Sequence, residues 1–436
     1  MTGDGLLEQI ASQVPAQAWV VGGALRDCLL GVEARDIDLV LADANSPLLN
    51  PDYWTRPGLS AFWLDQDRGT VRLVNADMVL DLAAMQGNMQ SDLSRRDFTV
   101  NCMALPLTDW LRGELSGLID PFQGREDLES RRLRLVHRDA IQGDPVRILR
   151  AARLGVELSL QSDAQTSSAL IAAAPALNRV PGERIWMELS LILQHRQAAS
   201  GLANLERWGA VAALFPEVAA MQRVGQNKYH QFTVDVHSQR AFAAFSSIIH
   251  HGSHLPSSMQ AYVRQYWQQL SAAEQSAIML AAWLHDIGKP ATRVDRGDKV
   301  TFYEHEHVGA KMAVKVAERL RLSNEQSRLI HTFIAYHMYP MQLWRTGHLD
   351  DRLIHRLYRR TGDLGVAIVL FTLADHLAKG ERVAAAPEFR EHQQVAERML
   401  LAYFCRHDQV VSPQPLLDGE QIIAAVEKQP GPWVGE

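Results

Sequence analysis

Over residues 1–105, short apolar runs alternate with polar turns, which predicts strands interleaved with helices. Two of these runs matter first: Val20-Val21 leading into Gly22-Gly23, and DIDLV at 36–40. Phe62-Trp63-Leu64 and Val71-Arg72-Leu73-Val74 flank the turn-like DQDRGT (65–70), as the arms of a hairpin would. MVLDLAA then carries Asp81 on a strand expected beside the one holding Asp36 and Asp38, as a third metal-facing carboxylate or as a buried or capping aspartate. In SDLSRRDFTVNCMAL, Ser91 or Asp92 is expected to cap a helix. IDPFQGREDLESRRLRLV (119–136) gives a turn at Asp120-Pro121 and a Gly124/Asp127 pair before a basic strand.

From Ile141 the pattern is helical and stays so. In GDPVRILRAARLGVELSL, Asp144 is expected to cap a helix with Pro145 at its first position. VPGERIWMELSLIL (180–193), with Glu183 and Glu188, and LERWGAVAALFPEVAAM (205–221) continue the helical style, and no internal repeat of fixed period is evident. After Gln222 the composition shifts: 15 of the 17 histidines lie from His230 onward, which places a domain boundary near 220.

At 436 residues, 47% hydrophobic and 22% charged, the chain has ordinary globular usage and room for two or more domains. It has no run of 18 uncharged apolar residues, and MTGDGLLEQI lacks the basic start and apolar stretch of a secretion signal, so a cytoplasmic location is expected. Cys28, Cys102 and Cys405 show no CxxC spacing and are expected as buried thiols. The net charge of −6 argues against coating nucleic acid over the whole surface. Arginines cluster at 95–96, 131–134 and 147–153, so RNA binding would use a patch.

Candidate chemistry follows from the two opening runs. Gly22-Gly23 lets the backbone approach a bulky anion, and Arg26, one helical turn on, can reach the same anion. Residues i and i+2 of a strand share a face, so Asp36 and Asp38 project two carboxylates to one spot, where a divalent metal could sit between a triphosphate and an attacking hydroxyl. Arg95, Arg96, Asp97 and Asn101 supply a cation pair, an acceptor and an amide suited to phosphate and ribose hydroxyls. Arg147, Arg150 and Arg153 recur every three residues, a stripe that invites an anion or a base edge. In the histidine-rich half, His237, His285-Asp286 followed by Gly-Lys-Pro, His305-Glu306-His307, His337 and Asp375 sit on or beside apolar helical segments. Imidazoles and carboxylates converging from several helices are how a bundle builds a metal site, with metal-bound water as a hydrolytic nucleophile.

In its first 220 residues the chain resembles the superfamily of class II tRNA nucleotidyltransferases and bacterial poly(A) polymerases. The resemblance rests on GGALRD with DID, RRDFTVN, DPFQG with a following Asp-Leu, DPVRILRAARL and ERIWMEL, in that order. The remaining half resembles HD-domain phosphohydrolases through His237, His285-Asp286, His305 and Asp375, and CCA-adding enzymes that carry an HD domain have this same head-to-tail order.

The resemblance implies an α+β fold, with a polymerase-β-like nucleotidyltransferase head at 1–136, an all-α neck at 137–220, an all-α HD domain at 221–400 and a tail at 401–436. It implies that Asp36 and Asp38 bind catalytic Mg²⁺, that Gly23 and Arg26 meet the triphosphate, and that Arg96 and Asp97 contact ribose and phosphate. Asp144 and Arg147 would pair with the edges of CTP and ATP, with Arg150 beside them. A carboxylate with a guanidinium can favour one base edge over another by about 1–3 kcal/mol per good pair. His237, His285, Asp286 and Asp375 would hold a divalent metal (Mg, Mn, Ni or Fe) in the HD site. The implied reaction is attack of the tRNA 3′-hydroxyl on the α-phosphate with loss of pyrophosphate. The expected partners are the tRNA acceptor end, CTP and ATP, with no membrane and with a homodimer allowed.

Two positions depart from the family's pattern. The base-selecting motif usually reads Glu-Asp-x-x-Arg, and Gly143 stands first here. Only 13 residues separate Asp81 from Arg95, where many full CCA-adding relatives carry a longer segment that relatives adding only CC lack. CC addition alone, poly(A) synthesis, and a chiefly phosphohydrolytic role on nucleotides or RNA ends are the alternatives. Spacing leaves open whether His305 or His307, and His331 or His337, completes the HD site.

Overall fold

The computed structural model describes residues 3–14, 17–226, 231–297 and 300–413, with isolated positions beyond. Two compact units divide the chain: Met1–Val180 with Gly201–Leu214, and Pro181–Ser200 with Phe215–Glu436.

The first unit is α+β and is built on a mixed sheet of β1 (Ala18–Val21), β2 (Asp36–Leu41), β3 (Ser60–Asp65), β4 (Thr70–Val74), β5 (Val79–Ala84) and β6 (Ala104–Pro106), in the order β3-β4-β5-β2-β1-β6. β2 and β5 run parallel, and every other neighbouring pair is antiparallel. Period-two alternation sorts the side chains: Ile37, Leu39, Leu41, Val71, Leu73, Leu80 and Leu82 enter a core shared with Leu6, Leu7 and Ile10. Each such side chain contributes about 1.5–3 kcal/mol by leaving water. The opposite face carries Asp36, Asp38, Asp81 and Arg72, with Asp38 level with Asp81 and Asp81 level with Arg72. The hairpin read at 62–74 is present as β3–β4, with a bulge between Trp63 and Asp65.

Three local expectations are corrected. The helix after β5, α2 (Met89–Ser94), following α1 (Gly23–Leu29), is capped by Asn88, whose side chain accepts the Ser91 N–H. Gly87, at φ 78°, turns the chain out of the strand, so the helix enters ahead of Ser91 and Asp92. The helix expected to be capped by Asp144 is α3 (Arg147–Glu157), preceded by Val146 with no side-chain cap; the Arg147 and Ile148 N–H groups donate to the carbonyls of Asp144 and Pro145 in a tight turn. Of the cysteines, only Cys102 is buried, while Cys28 and Cys405 are exposed.

The second unit is helical apart from a short ribbon pairing Val294–Asp295 with Val300–Thr301. Its helices include α4 (Val234–His251), α5 (Ala272–Leu284), α6 (His305–Arg319), α7 (Asn324–Tyr336), α8 (Leu364–Leu377) and α9 (Pro387–Cys405). Capping boxes Ser271/Glu274 and Ser323/Gln326 start α5 and α7. α8 is apolar on every side, and Leu364 through Asp375 are all buried. A polar group carried at the end of such a helix is delivered into the core. Of the tail expected from 401, residues beyond 413 lie outside the described residues except at isolated positions. No helix among the described residues is long and apolar enough to cross a membrane.

Candidate active sites

The polar face of the sheet floors a cavity of about 580 Å³, walled on one side by Gly22, Arg26 and Arg96 and on the other by Arg72 and Arg68. β1 ends level with Asp38, so Gly22 passes directly beside that carboxylate. A Cβ on Gly22 would stand 2.9 Å from Asp38 Oδ2 and 2.7 Å from Arg96 Nη1, and its φ of 77° favours glycine in any case. At Gly23 the equivalent approach is looser, 3.4 Å to Arg26 Nη2. Close backbone approach was legible as a glycine pair; that Gly22 is the tighter member was not.

Hydrogen bonds join the separate motifs. Arg26 Nη1 donates to Asn101 Oδ1 at 2.8 Å, and Asn101 Nδ2 donates to Asp97 Oδ1 at 3.1 Å. Arg150 Nη1 reaches Asp97 Oδ2 at 2.9 Å. Burial opposes ionisation of Asp97, but the Arg150 guanidinium, with Asn101 and the Phe98 N–H, outweighs it and holds the carboxyl below its ordinary range. Asp81 is clasped by Arg72 through paired contacts of 2.8 and 2.7 Å.

Asp36 and Asp38 have the opposite electrostatics. Partial burial and then repulsion from Asp81 raise Asp36. Partial burial raises Asp38 as well; Arg96 opposes this from 3.8 Å, while Asp81 and Asp36 add to it. Two carboxylates crowded on one face and shifted toward protonation fit a divalent cation, which would relieve their repulsion.

The arginine stripe on α3 is balanced, at Arg147 and Arg150 by partners some fifty residues away and at Arg153 by a neighbour on the same helix. Arg147 donates to the carbonyls of Arg95, Arg96 and Ala140 at 3.0, 3.1 and 2.7 Å. Arg150 meets Asp97, and Arg153 meets Glu157 at 2.8 Å. All three arginines line the cavity, whereas Asp144 is not among the lining residues.

In the second unit, six side chains converge as two adjoining trios, His237, His285 and Asp375, and Asp286, His305 and His337, all buried, with ligand atoms inside each trio within 4.8 Å of one another. Asp286 joins them: Oδ2 lies 3.2 Å from His285 Nε2 and Oδ1 lies 3.4 Å from His305 Nε2. The local fold sets the tautomers. His285, His305 and His337 each hold Nδ1 against the carbonyl three residues earlier, at 3.0, 2.9 and 2.7 Å. A carbonyl only accepts, so each Nδ1 carries a proton; burial holds His305 and His337 toward the neutral form, in which Nε2 presents a lone pair to the cluster, whereas at His285 burial is outweighed by Asp286 and then Asp375, which raise it above its ordinary value. The Nε2 atoms of His305 and His337 make no hydrogen bond there. Burial, followed by the His285 and His305 rings, pushes His337 down to about 3, so its imidazole is neutral. Burial opposes the charge on Asp286, but His285 and Lys289 hold its carboxyl well below the usual range; Lys289 Nζ sits 2.7 Å from Oδ2. This donor set fits a divalent metal. His307 and His331 are exposed on the same helices and point away.

Residues 62–134 match the family described as the poly A polymerase head domain, 160–222 that described as a probable RNA and SrmB-binding site of polymerase A, and 258–380 the HD domain. The chain is 31% identical over 435 residues to the A-adding tRNA nucleotidyltransferase of Deinococcus radiodurans, covering 97% of this chain and 90% of that protein. The chain belongs to the tRNA nucleotidyltransferase family. It is 30% identical to the CC-adding tRNA nucleotidyltransferase of Thermus thermophilus, over 97% of this chain and 88% of that one. A CCA-adding enzyme solved in an apo form shares the fold, with a TM-score of 0.66 and 20% identity over 99% of this chain and 86% of that chain. This tRNA nucleotidyltransferase therefore couples a nucleotidyl-transfer head to an HD domain. His237 lies before the matched HD segment, yet its imidazole meets Asp375 at 2.8 Å.

Proposed function

We propose that this tRNA nucleotidyltransferase adds nucleotides of the CCA end to tRNA from CTP and ATP, with Asp36 and Asp38 holding Mg²⁺. The observation that carries this reading is the cavity in which those two carboxylates share one sheet face with converging arginines. Gly22, Gly23, Arg26 and Arg96 would receive the triphosphate, and the Asp97–Arg150–Asn101 network would fix the ribose and base end. Mg²⁺, when bound, supplies charge neutralisation at the reacting phosphate. The protein's own contribution is positioning: Arg96 and Arg26 would orient the phosphates, and Arg147 holds the Arg95–Arg96 backbone in place through its contacts to those two carbonyls.

The connection from β5 to α2 favours a product that stops at CC. Only residues 85–88 lie between these elements, and the Gln86 N–H donates to Asp92 Oδ1 at 3.0 Å, so the connection is short and tied to the helix that follows. Three tRNA transcripts ending at the discriminator base, at C and at CC, given CTP, ATP or both, separate the outcomes. Addition of two Cs and no A supports the CC reading, addition of two Cs and then one A makes the chain a full CCA-adding enzyme, a single A on the third transcript with no C added to the others makes it an A-adding enzyme, and a long A ladder makes it a poly(A) polymerase.

The HD cluster would hold Mg, Mn, Ni or Fe and hydrolyse phosphate monoesters or 2′,3′-cyclic phosphates. Lys289, paired with Asp286, would orient that ligand and offset phosphate charge. Hydrolysis of a 2′,3′-cyclic nucleotide that disappears in His285→Ala, with CTP incorporation retained, tests this assignment.

A further inference from the structure

Phe62, on β3, is 46% exposed, and the function described so far does not use it. Strand register gives its place. Phe62 is level with Arg72, Arg72 with Asp81, and Asp81 with Asp38, so the four residues form one row across β3, β4, β5 and β2 on the polar face of the sheet. Trp63, 41% exposed and level with Val71, belongs to the opposite, core-side face.

Reaction geometry gives the row a direction. In phosphoryl transfer the attacking and leaving oxygens lie roughly in line. The triphosphate side of the cavity is the β1 side, where Gly22 and Arg26 stand, so the attacking 3′-hydroxyl must come from the other side of Asp36 and Asp38, over β5, β4 and β3. That path is cationic and then aromatic. Arg72 lies flat against Asp81, Arg68 in the β3–β4 turn lines the same cavity with its side chain 85% exposed, and Phe62 ends the row. Three inter-strand steps of ~4.8 Å put Phe62 about 14 Å from the β2 carboxylates, within reach of the nucleotides just behind the 3′-hydroxyl. Guanidinium groups beside an exposed aromatic ring are the elements by which proteins hold single-stranded nucleic acid.

We propose that Phe62 is a stacking platform for a base of the RNA 3′ end, with Arg68 and Arg72 facing the adjoining phosphates. The assignment rests on nucleotidyl transfer by the head and names where the acceptor strand lies. Phe62 is a positioning residue, and it acts on the acceptor and not on the incoming nucleotide.

The test compares Phe62→Ala, Phe62→Trp and Trp63→Ala in the full-length protein, measuring CTP incorporation into a tRNA transcript that ends at the discriminator base. Phe62→Ala is expected to raise the KM for tRNA roughly tenfold, with the KM for CTP and kcat within about twofold. Phe62→Trp should restore the wild-type KM, and Trp63→Ala, from the same strand and the opposite face, should leave it unchanged. A transcript with 2-aminopurine near its 3′ end should be quenched on binding to the wild type and not to Phe62→Ala. An unchanged tRNA KM in Phe62→Ala, equal losses in Phe62→Ala and Trp63→Ala, or undiminished quenching in Phe62→Ala would overturn the assignment while leaving nucleotidyl transfer intact. Absence of both CTP and ATP incorporation by the wild-type protein, on transcripts ending at the discriminator base and at CC, would instead remove the reading on which it rests.

Discussion

Arg150 and Asp97, 53 residues apart in sequence, are joined by a 2.9 Å bond between Nη1 and Oδ2. The bond fixes α3 to the segment that carries Arg95 and Arg96. Arg150→Met leaves a carboxylate with a side chain only 6% exposed without its cation. We expect a loss of about 2 kcal/mol at neutral pH, below the range for a fully buried pair because Arg150 is a third exposed. Asp97 titrates below its ordinary range when folded, so this stabilisation is complete above the unfolded carboxylate pKa and disappears as pH falls through the folded one. Urea midpoints of wild type and variant should differ at neutral pH and converge in acid; a gap that persists in acid would rule out the ion pair as its source.

Gly22 and Gly23 should respond differently to alanine. Gly22→Ala forces a Cβ between Arg96 and Asp38 at a positive φ, costing about 1–3 kcal/mol in backbone strain and displacing both side chains. Incorporation should fall at least roughly tenfold, whereas Gly23→Ala, with looser contacts and an ordinary φ, should stay within a fewfold of wild type. Similar losses in both variants would mean that the glycines serve the loop and not the pocket.

The histidines of the HD domain divide by burial. His305→Ala and His337→Ala should weaken divalent-metal binding at least roughly tenfold, read as metal content after dialysis, while His307→Ala and His331→Ala should keep the wild-type content. CTP incorporation should survive all four. Metal loss in the exposed-histidine variants would place the site elsewhere.

Much of this was legible from local pattern. The paired carboxylates of Asp36 and Asp38 follow from strand periodicity, and the β3–β4 hairpin follows from two apolar runs around DQDRGT. What stayed hidden depends on contacts between distant parts of the chain. Arg147 and Arg150 look unbalanced in sequence because Asp97 and the carbonyls of Arg95 and Arg96 lie some fifty residues away, whereas the partner of Arg153, Glu157, is one helical turn on. His305 and His307 are two residues apart on one helix, and only packing shows which faces Asp286. The cap at Asn88 was obscured because Ser91 and Asp92 are equally good caps on propensity alone, and Gly87 decides where the strand ends.

The most direct measurement is CTP incorporation into a tRNA transcript by Asp36→Asn and Asp38→Asn, with HD-site metal content determined on the same preparations. Removing either carboxylate should lower incorporation at least roughly 10²-fold while the HD metal remains, because the two carboxylates proposed to hold Mg²⁺ at the reacting phosphate belong to the first unit alone. Incorporation near the wild-type rate in both variants would contradict the assignment of this sheet face as the site of nucleotidyl transfer.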